Sequence, residues 1–377
     1  MLGRIFQKRL NHFLDSMEKE EVKFDEYILK ETHVAKLDPV RKKKLEYPSV
    51  FYPVKNVPLE WWYFTGHLQS GKKRFGFEFC FFKFHPQGLR IGPLPASIFR
   101  KEPYLVFHGT ITDKENKNFT VYQDSGIIDK ENISYDSVDI SLGRTRLRLS
   151  KNKFIIDAEW ISLELIPIKK MIKHFEEGYA VMYKYPEHRT YYVTFPRLKV
   201  KGKILSNGKE NNVTGQAWFD HQKTNMPHKT SLKGWDWFSV MLEDNTELMF
   251  FTLRNKKGMD HKFMGGSFID KNSKKIDLKQ NEVFIKHIKF WKSPKTGIIY
   301  PSGWIMEIPK LGIKLEIIPC MENQEVDAIK TTPTSYWEGA CDVSGTKNGK
   351  KIKGQSYVEL VGYDNRFVAN LIRDLTY

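Results

Sequence analysis

From residue 60 onward, apolar and polar positions alternate with a period of two, and turns rich in Gly, Asn, Asp and Lys interrupt the pattern almost to the C-terminus. Short alternating runs of this kind predict β-strands, and many of them in series predict an all-β sandwich or barrel. The runs cover 61–68, 75–84, 104–112, 119–123, 138–149, 153–166, 190–195, 198–205, 212–219, 235–242, 247–254, 304–308, 313–318, 336–343 and 355–363. Before residue 60 the pattern differs. Leu2, Ile5, Phe6, Leu10, Phe13, Leu14 and Met17 recur at helical spacing, so residues 2–20 read as a short amphipathic helix. The stretch 36–56, with "RKKK" and Pro39, Pro48 and Pro53, reads as a connecting arm.

One pattern occurs twice. "EWWYFTGHLQSGKKRFGFEFCFFK" (60–83) and "GWDWFSVMLEDNTELMFFTLR" (234–254) each place a Trp-rich strand, a polar turn and a strongly apolar strand in series. Two such hairpins half a chain apart predict two barrels of similar plan. A boundary is expected near "YKYPEHRTYYVTFPRL" (183–198), which carries two prolines and a charge cluster. The expected division is 1–50 for the helix and arm, 51–190 for a first barrel and 191–377 for a second.

Composition narrows the function classes. The 377 residues carry a formal charge of +16, which raises nucleic acid or an anionic membrane as partners. The lysines sit in solvated turns such as "DKNSKKIDLK" (270–279) and "GTKNGKKIKG" (345–354), without any nucleic-acid-binding pattern, so no nucleic acid is expected. The helix over 2–20 is expected to pack on the body. Peripheral membrane contact through it is the alternative, with Arg4, Lys8 and Arg9 on its polar side, although Asp15, Glu18, Glu20 and Glu21 dilute that charge. Cys80, Cys320 and Cys341 are too few and scattered for a disulfide framework or a zinc site. No signal peptide is visible and no run reaches the ~20 apolar residues of a membrane-spanning helix, so a cytoplasmic protein is expected.

The candidate chemistry clusters in the aromatic strands. In "VPLEWWYFTGHL" (57–68), Trp61, Tyr63, Thr65 and His67 share one face while Trp62, Phe64 and Leu68 share the other. The first face is amphipathic and suits the wall of a pocket for a large apolar ligand; an aromatic core with satisfied polar tips is the alternative. "GQAWFDHQ" (215–222) brings Asp220 and His221 to a strand end, where they project to opposite faces if the strand continues and converge if it turns. Both are plausible acid/base groups. In "GWDWF", Asp236 lies on a face with Phe238, Val240 and Leu242, where desolvation would raise its pKa. Trp235 and Trp237 occupy the opposite face. "YWEGACDVSG" (336–345) and "GQSYVELVGY" (354–363) pair Tyr336 with Glu338, and Tyr357 with Glu359. No G-x-S-x-G, P-loop, G-x-G-x-x-G, H-E-x-x-H or paired-Cys motif is present, which disfavours hydride transfer, phosphoryl transfer and zinc chemistry.

Taken in order, "EWWYFTGHL", "FGFEFCFFK", "GQAWFDHQ", the 234–254 hairpin, "YPSGWIMEIP", "YWEGACDVSG" and "GQSYVELVGY" are similar to a lipocalin-like family. That family includes bacterial carotenoid 1,2-hydratase (hydroxyneurosporene synthase) and the AttH-like proteins often labelled predicted secreted hydrolases. The resemblance covers about residues 55–363. It implies two consecutive lipocalin-like (calycin) antiparallel β-barrel domains. Fungal lipocalin-like Diels-Alderases share the plan, so fold alone does not fix the reaction. The family commonly continues with Trp-Gly after the segment matching 220–222, where this chain has Lys223 and Thr224, and its members are frequently exported.

The resulting expectation is a hydratase-type lyase that adds water to a C=C bond of a long apolar, isoprenoid or carotenoid-like molecule. A carboxylic acid in a dry compartment of the barrels would protonate the bond, aromatic faces would stabilise the carbocation, and a positioned water would add, with no redox cofactor or metal. Asp220 or Asp236 is the expected proton donor, and His221 the partner that handles water. Trp61, Trp62, Tyr63, His67, Trp235, Trp237, Trp337 and Tyr357 are candidate substrate contacts, with Glu60, Glu338 and Glu359 as reserve acids. A non-catalytic binder or carrier of hydrophobic small molecules is the alternative; a hydrolase rests on the family label alone, since no nucleophile motif is visible.

Overall fold

The computed structural model describes residues 43–86, 90–91, 94–95, 102–128, 131–181, 189–225, 232–255, 265–332 and 334–364. The helix expected over 2–20 lies outside them, as does the start of the arm. The described residues are almost entirely β, folded as a nearly closed barrel followed by a half-barrel.

The first sheet runs, neighbour by neighbour, Asn118–Ile127, Tyr104–Asp113, Lys73–Phe84, Leu59–Ser70, Lys209–Asn225, Arg189–Ser206, Ile161–Pro167, Lys153–Ala158, Thr145–Ser150 and Asp139–Leu142. The second runs Lys275–Lys279, Gly265–Ile269, Glu247–Asn255, Leu232–Leu242, Lys350–Leu360, Ser335–Lys347, Ile313–Pro319, Trp304–Ile308 and Phe284–His287. Each Trp-rich strand of the internal echo pairs on one side with its hairpin partner and on the other with the last long strand of its sheet. The two hairpins therefore hold equivalent places.

The chain changes sheet between Asn225 and Leu232, later than the boundary expected at 190/191. Pro196 sits where the ladder register shifts between Phe195 and Leu198, a bulge that accepts a residue without an N–H, so Arg189–Ser206 continues as one strand. The runs at 138–149 and 153–166, read as single strands, are hairpins turning at Gly143-Arg144 and Glu159-Trp160.

Alternation sends Trp62 and Phe64 into the first barrel, where they meet Phe79, Phe154 and Phe219. The Phe64 and Phe219 rings stack at 4.3 Å. Phe51, on the 3-10 turn Ser49–Phe51, closes one end, and Trp62 Nε1 donates to its carbonyl at 2.8 Å. Each such ring contributes about 1.5–3 kcal/mol of burial. Aromatic side chains pack on one another in this interior, where an oily compartment is the sequence-based expectation. Phe238, Trp304 and Trp337 pack within the half-barrel in the same way.

A third cluster lies between the sheets, drawing Tyr63, Cys80, Tyr192 and Trp218 from the first and Trp237, Met249, Phe251 and Tyr357 from the second. Gly76 permits the close approach, since a Cβ there would lie 2.5 Å from Ala340 Cβ. Buried Glu247 of the second sheet is ion-paired to Arg197 and Lys169 of the first unit, each at 2.6 Å.

Candidate active site

The outward face of Leu59–Ser70 makes up part of this inter-sheet layer. Strand register aligns Thr194, Asp220, Tyr63, Cys80 and His108 in one row across the first sheet, with Trp218, Thr65, Glu78 and Thr110 in the next. In the second sheet, Glu338 stands opposite Glu359, which stands opposite Trp237. Because every member sits at the same strand parity, these side chains meet in the layer between the sheets.

Polar contacts join the two sheets. Tyr63 Oη donates to Glu338 Oε1 at 2.6 Å, and Trp237 Nε1 to Tyr192 Oη at 3.0 Å. His67 Nε2 lies 3.0 Å from the Ser356 carbonyl, and His108 Nδ1 lies 2.8 Å from Tyr336 Oη. Tyr63 and Trp237 meet edge to face at 5.3 Å. Trp61, Phe82, Trp235 and Glu359 are partly exposed.

Besides Glu247, which has its own cations, four carboxyl groups occupy the layer: Glu78, Asp220, Glu338 and Glu359. Their hydrogen-bond donors are neutral. Burial pushes Asp220 up to about 7, against hydrogen bonds from Thr194, Tyr192 and Trp218. Burial likewise lifts Glu359 to about 7, against the 2.8 Å hydrogen bond that Trp235 Nε1 donates to it. Glu78 and Glu338 are raised well above the carboxylate range, first by burial and then by Glu359. Both oxygens of Glu78 and Oε2 of Glu338 are buried without a hydrogen-bond partner among the described residues, the condition in which a carboxyl keeps its proton.

Asp220 is held differently. Oδ1 accepts from Thr194 Oγ1 and, at 2.7 Å, from Trp218 Nε1, while Oδ2 accepts from Tyr192 Oη. With its hydroxyl proton given to Asp220, Thr194 Oγ1 accepts from His174 Nε2 at 2.7 Å, and His174 Nδ1 accepts from Ser267 Oγ at 3.0 Å. Every link donates towards Asp220, which makes it the acceptor of the layer. Burial lowers His174 to about 3, so the imidazole in this chain is neutral.

The remaining sequence candidates lie elsewhere. The strand continues through Asp220 and His221, so the two project to opposite faces. His221 points into the first barrel, with Nδ1 2.8 Å from the Trp61 carbonyl and Nε2 3.4 Å from Glu60 Oε1. Glu60 is also 3.5 Å from Lys223 Nζ and 3.6 Å from Lys83 Nζ, and it accepts the Val54 N–H at 2.9 Å. Burial opposes its charge, but Lys223, His221 and Lys83 outweigh burial and hold the carboxyl at about 2. Glu60, Trp62 and His221 therefore belong to the barrel interior. Asp236 points into the half-barrel, paired with Arg254 and accepting from Tyr363 Oη at 3.0 Å; burial raises its pKa, but a carboxylate with its own guanidinium is poorly placed to donate a proton. Trp337 is a core residue whose Nε1 donates to the Glu322 carbonyl at 2.7 Å.

The layer holds Asp220, Trp61, Tyr63, His67, Trp235, Trp237, Glu338, Tyr357 and Glu359 from the sequence candidates. Sequence reasoning missed Glu78, His174, Tyr192, Thr194 and Trp218. A lone acid inside the apolar run "FGFEFCFFK" was a usable signal for Glu78; His174 carried none. Among the described residues no group of three or more His, Cys, Asp or Glu side chains is arranged to hold a metal ion.

The family model described as AttH-like matches residues 38–363. No curated protein matches the chain. An AttH protein from Nitrosomonas europaea has a similar crystal structure, with a TM-score of 0.75 and 26% identity, over 88% of this chain and 100% of that one. Kievitone hydratase from Nectria haematococca is similar in fold, with a TM-score of 0.62 and 15% identity, over 88% of this chain and 95% of that one.

Proposed function

The chain belongs to the AttH-like family, and from that premise we propose that it is a hydratase-type lyase whose acid and base stand in the inter-sheet layer. The observation that carries the reading is the contrast within one layer. Glu78 and Glu338 are buried carboxyls with unpartnered oxygens, whereas Asp220 accepts three hydrogen bonds. The kievitone hydratase fold and the resemblance to carotenoid 1,2-hydratase support water addition as the reaction class.

In the proposed reaction, a protonated carboxyl of the Glu78 and Glu338 pair gives its proton to the less substituted carbon of a trisubstituted C=C bond. The electron pair of that bond forms the new C–H bond and leaves a tertiary carbocation. Tyr63 and Trp237 offer it their π faces. Water adds its oxygen to the cation, and Asp220 accepts the proton that water loses. Proton return from Asp220 to the glutamate pair closes the cycle, so the net change is addition of H and OH. A long apolar substrate of the isoprenoid kind suits rings and carboxyls reached past Trp61 and Trp235.

A carrier reading draws on the Tyr63–Glu338 bond, which could serve only to join the sheets. Incubation with an acyclic terpenoid in deuterium oxide separates the two. The lyase yields a tertiary alcohol with one carbon-bound deuterium, and Asp220→Asn binds the terpenoid without converting it. A wild-type protein that binds the terpenoid and returns it unlabelled refutes the lyase and leaves the carrier.

A further inference from the structure

The half-barrel ends in the edge strand Phe284–His287, followed by a hairpin of Phe290–Lys292 and Ile299–Pro301. This segment exposes large apolar side chains: Phe284 at 56%, Ile288 at 41%, Phe290 at 60% and Ile299 at 56%. Ile318, 40% exposed, adjoins Ile288, since a Cβ at Gly303 would lie 3.1 Å from Ile288 Cγ1 and 3.5 Å from Ile318 Cδ1. The exposure is built in. Trp291 stacks on buried Tyr300 beneath the hairpin, and Ser293 Oγ and Thr296 Oγ1 donate to Glu325 at 2.5 and 2.6 Å. Anchored on that face, the hairpin turns Phe290 and Ile299 outward.

Lysines alternate with these apolar residues. Lys289 is ion-paired to Glu322 and Lys295 to Asp327, but Lys286 and Lys292 form no ion pair among the described residues. A protein partner would bury those two ammonium groups, which protein interfaces avoid at their cores. Exposed aromatic and aliphatic side chains separated by unpaired lysines match instead a bilayer surface, where rings enter the acyl boundary and ammonium groups meet anionic headgroups. No helix of the described residues is long and apolar enough to cross a membrane.

We propose that the 284–299 segment, with Ile318 beside it, docks the protein peripherally on a membrane bearing anionic lipid. This stands independently of the catalytic reading. Co-sedimentation of the full chain with phosphatidylcholine vesicles, with and without about 30% phosphatidylserine, tests it. Binding is expected to the anionic vesicles only and to fall as salt is raised. The double variant Phe290→Ser/Ile299→Ser should lower the partition coefficient about tenfold, and Lys286→Gln about fivefold. Circular dichroism and melting confirm that each variant is folded. Unchanged vesicle binding by the folded variants, no binding by the wild type, or a dimer dissolved by Phe290→Ser/Ile299→Ser would each overturn the proposal.

Discussion

Glu338 and Glu359 face each other directly across the Ser335–Lys347 and Lys350–Leu360 ladder. Opposed like charges destabilise a sheet, so this register favours the protonated acids. The consequence is a stability that depends on pH. Glu359 has its proton held up to about 7 in the folded chain against 4.5 unfolded, so its contribution is complete below about 4.5 and is lost as pH rises through about 7. Between pH 5 and 8, wild-type stability should fall by about 2 kcal/mol more than that of Glu359→Gln, measured by urea unfolding. Parallel pH profiles for the two proteins would contradict the assignment.

Turnover should follow a bell-shaped pH profile, rising through about 7 as Asp220 ionises and falling when the glutamate pair loses its proton. Thr194→Val removes a donor to Asp220 and breaks the link to His174, so the rising limb should move up by up to about one unit. A limb that stays in place would show that the Ser267–His174–Thr194 chain does not tune this carboxyl.

His221 and Asp220 are neighbours in sequence with opposite fates. Folded His221→Asn should retain turnover within about threefold, whereas Asp220→Asn should lose about 10²–10⁴. Steady-state rates at matched folded fraction make the comparison.

Glu60→Gln should cost about 3–5 kcal/mol, because it leaves Lys83 and Lys223 buried without their common counter-charge. The same variant should keep its turnover once folded. Denaturant unfolding beside a rate measurement tells this structural role from a catalytic one.

The period-two pattern made the fold legible, since it put Trp62 and Phe64 on one strand face, which the folded chain turns into the core, and the echoed hairpins take like places in their sheets. It also showed that Trp61, Tyr63 and His67 share a face. What that face meets is not a local property. Tyr63 meets Glu338 across 275 positions of chain, and nothing in either strand states the pairing. Asp220, offered as a strand-end acid beside His221, and Asp236, offered as an acid on an apolar face, part company in the folded chain, where Arg254 pairs with Asp236 and neutral donors surround Asp220. A proline in a strand looks like an ending, and the bulge that accommodates Pro196 becomes visible only in the ladder.

A carboxyl group between the sheets that keeps its proton at neutral pH is the acid on which the proposed chemistry turns. Infrared difference spectroscopy at pH 7, comparing the wild type with Glu78→Gln and Glu338→Gln, detects that proton. The wild type should show a protonated-carboxyl C=O band, shifted in deuterium oxide, that one or both variants lose while remaining folded. A wild-type spectrum with carboxylate bands alone would contradict the proposed chemistry.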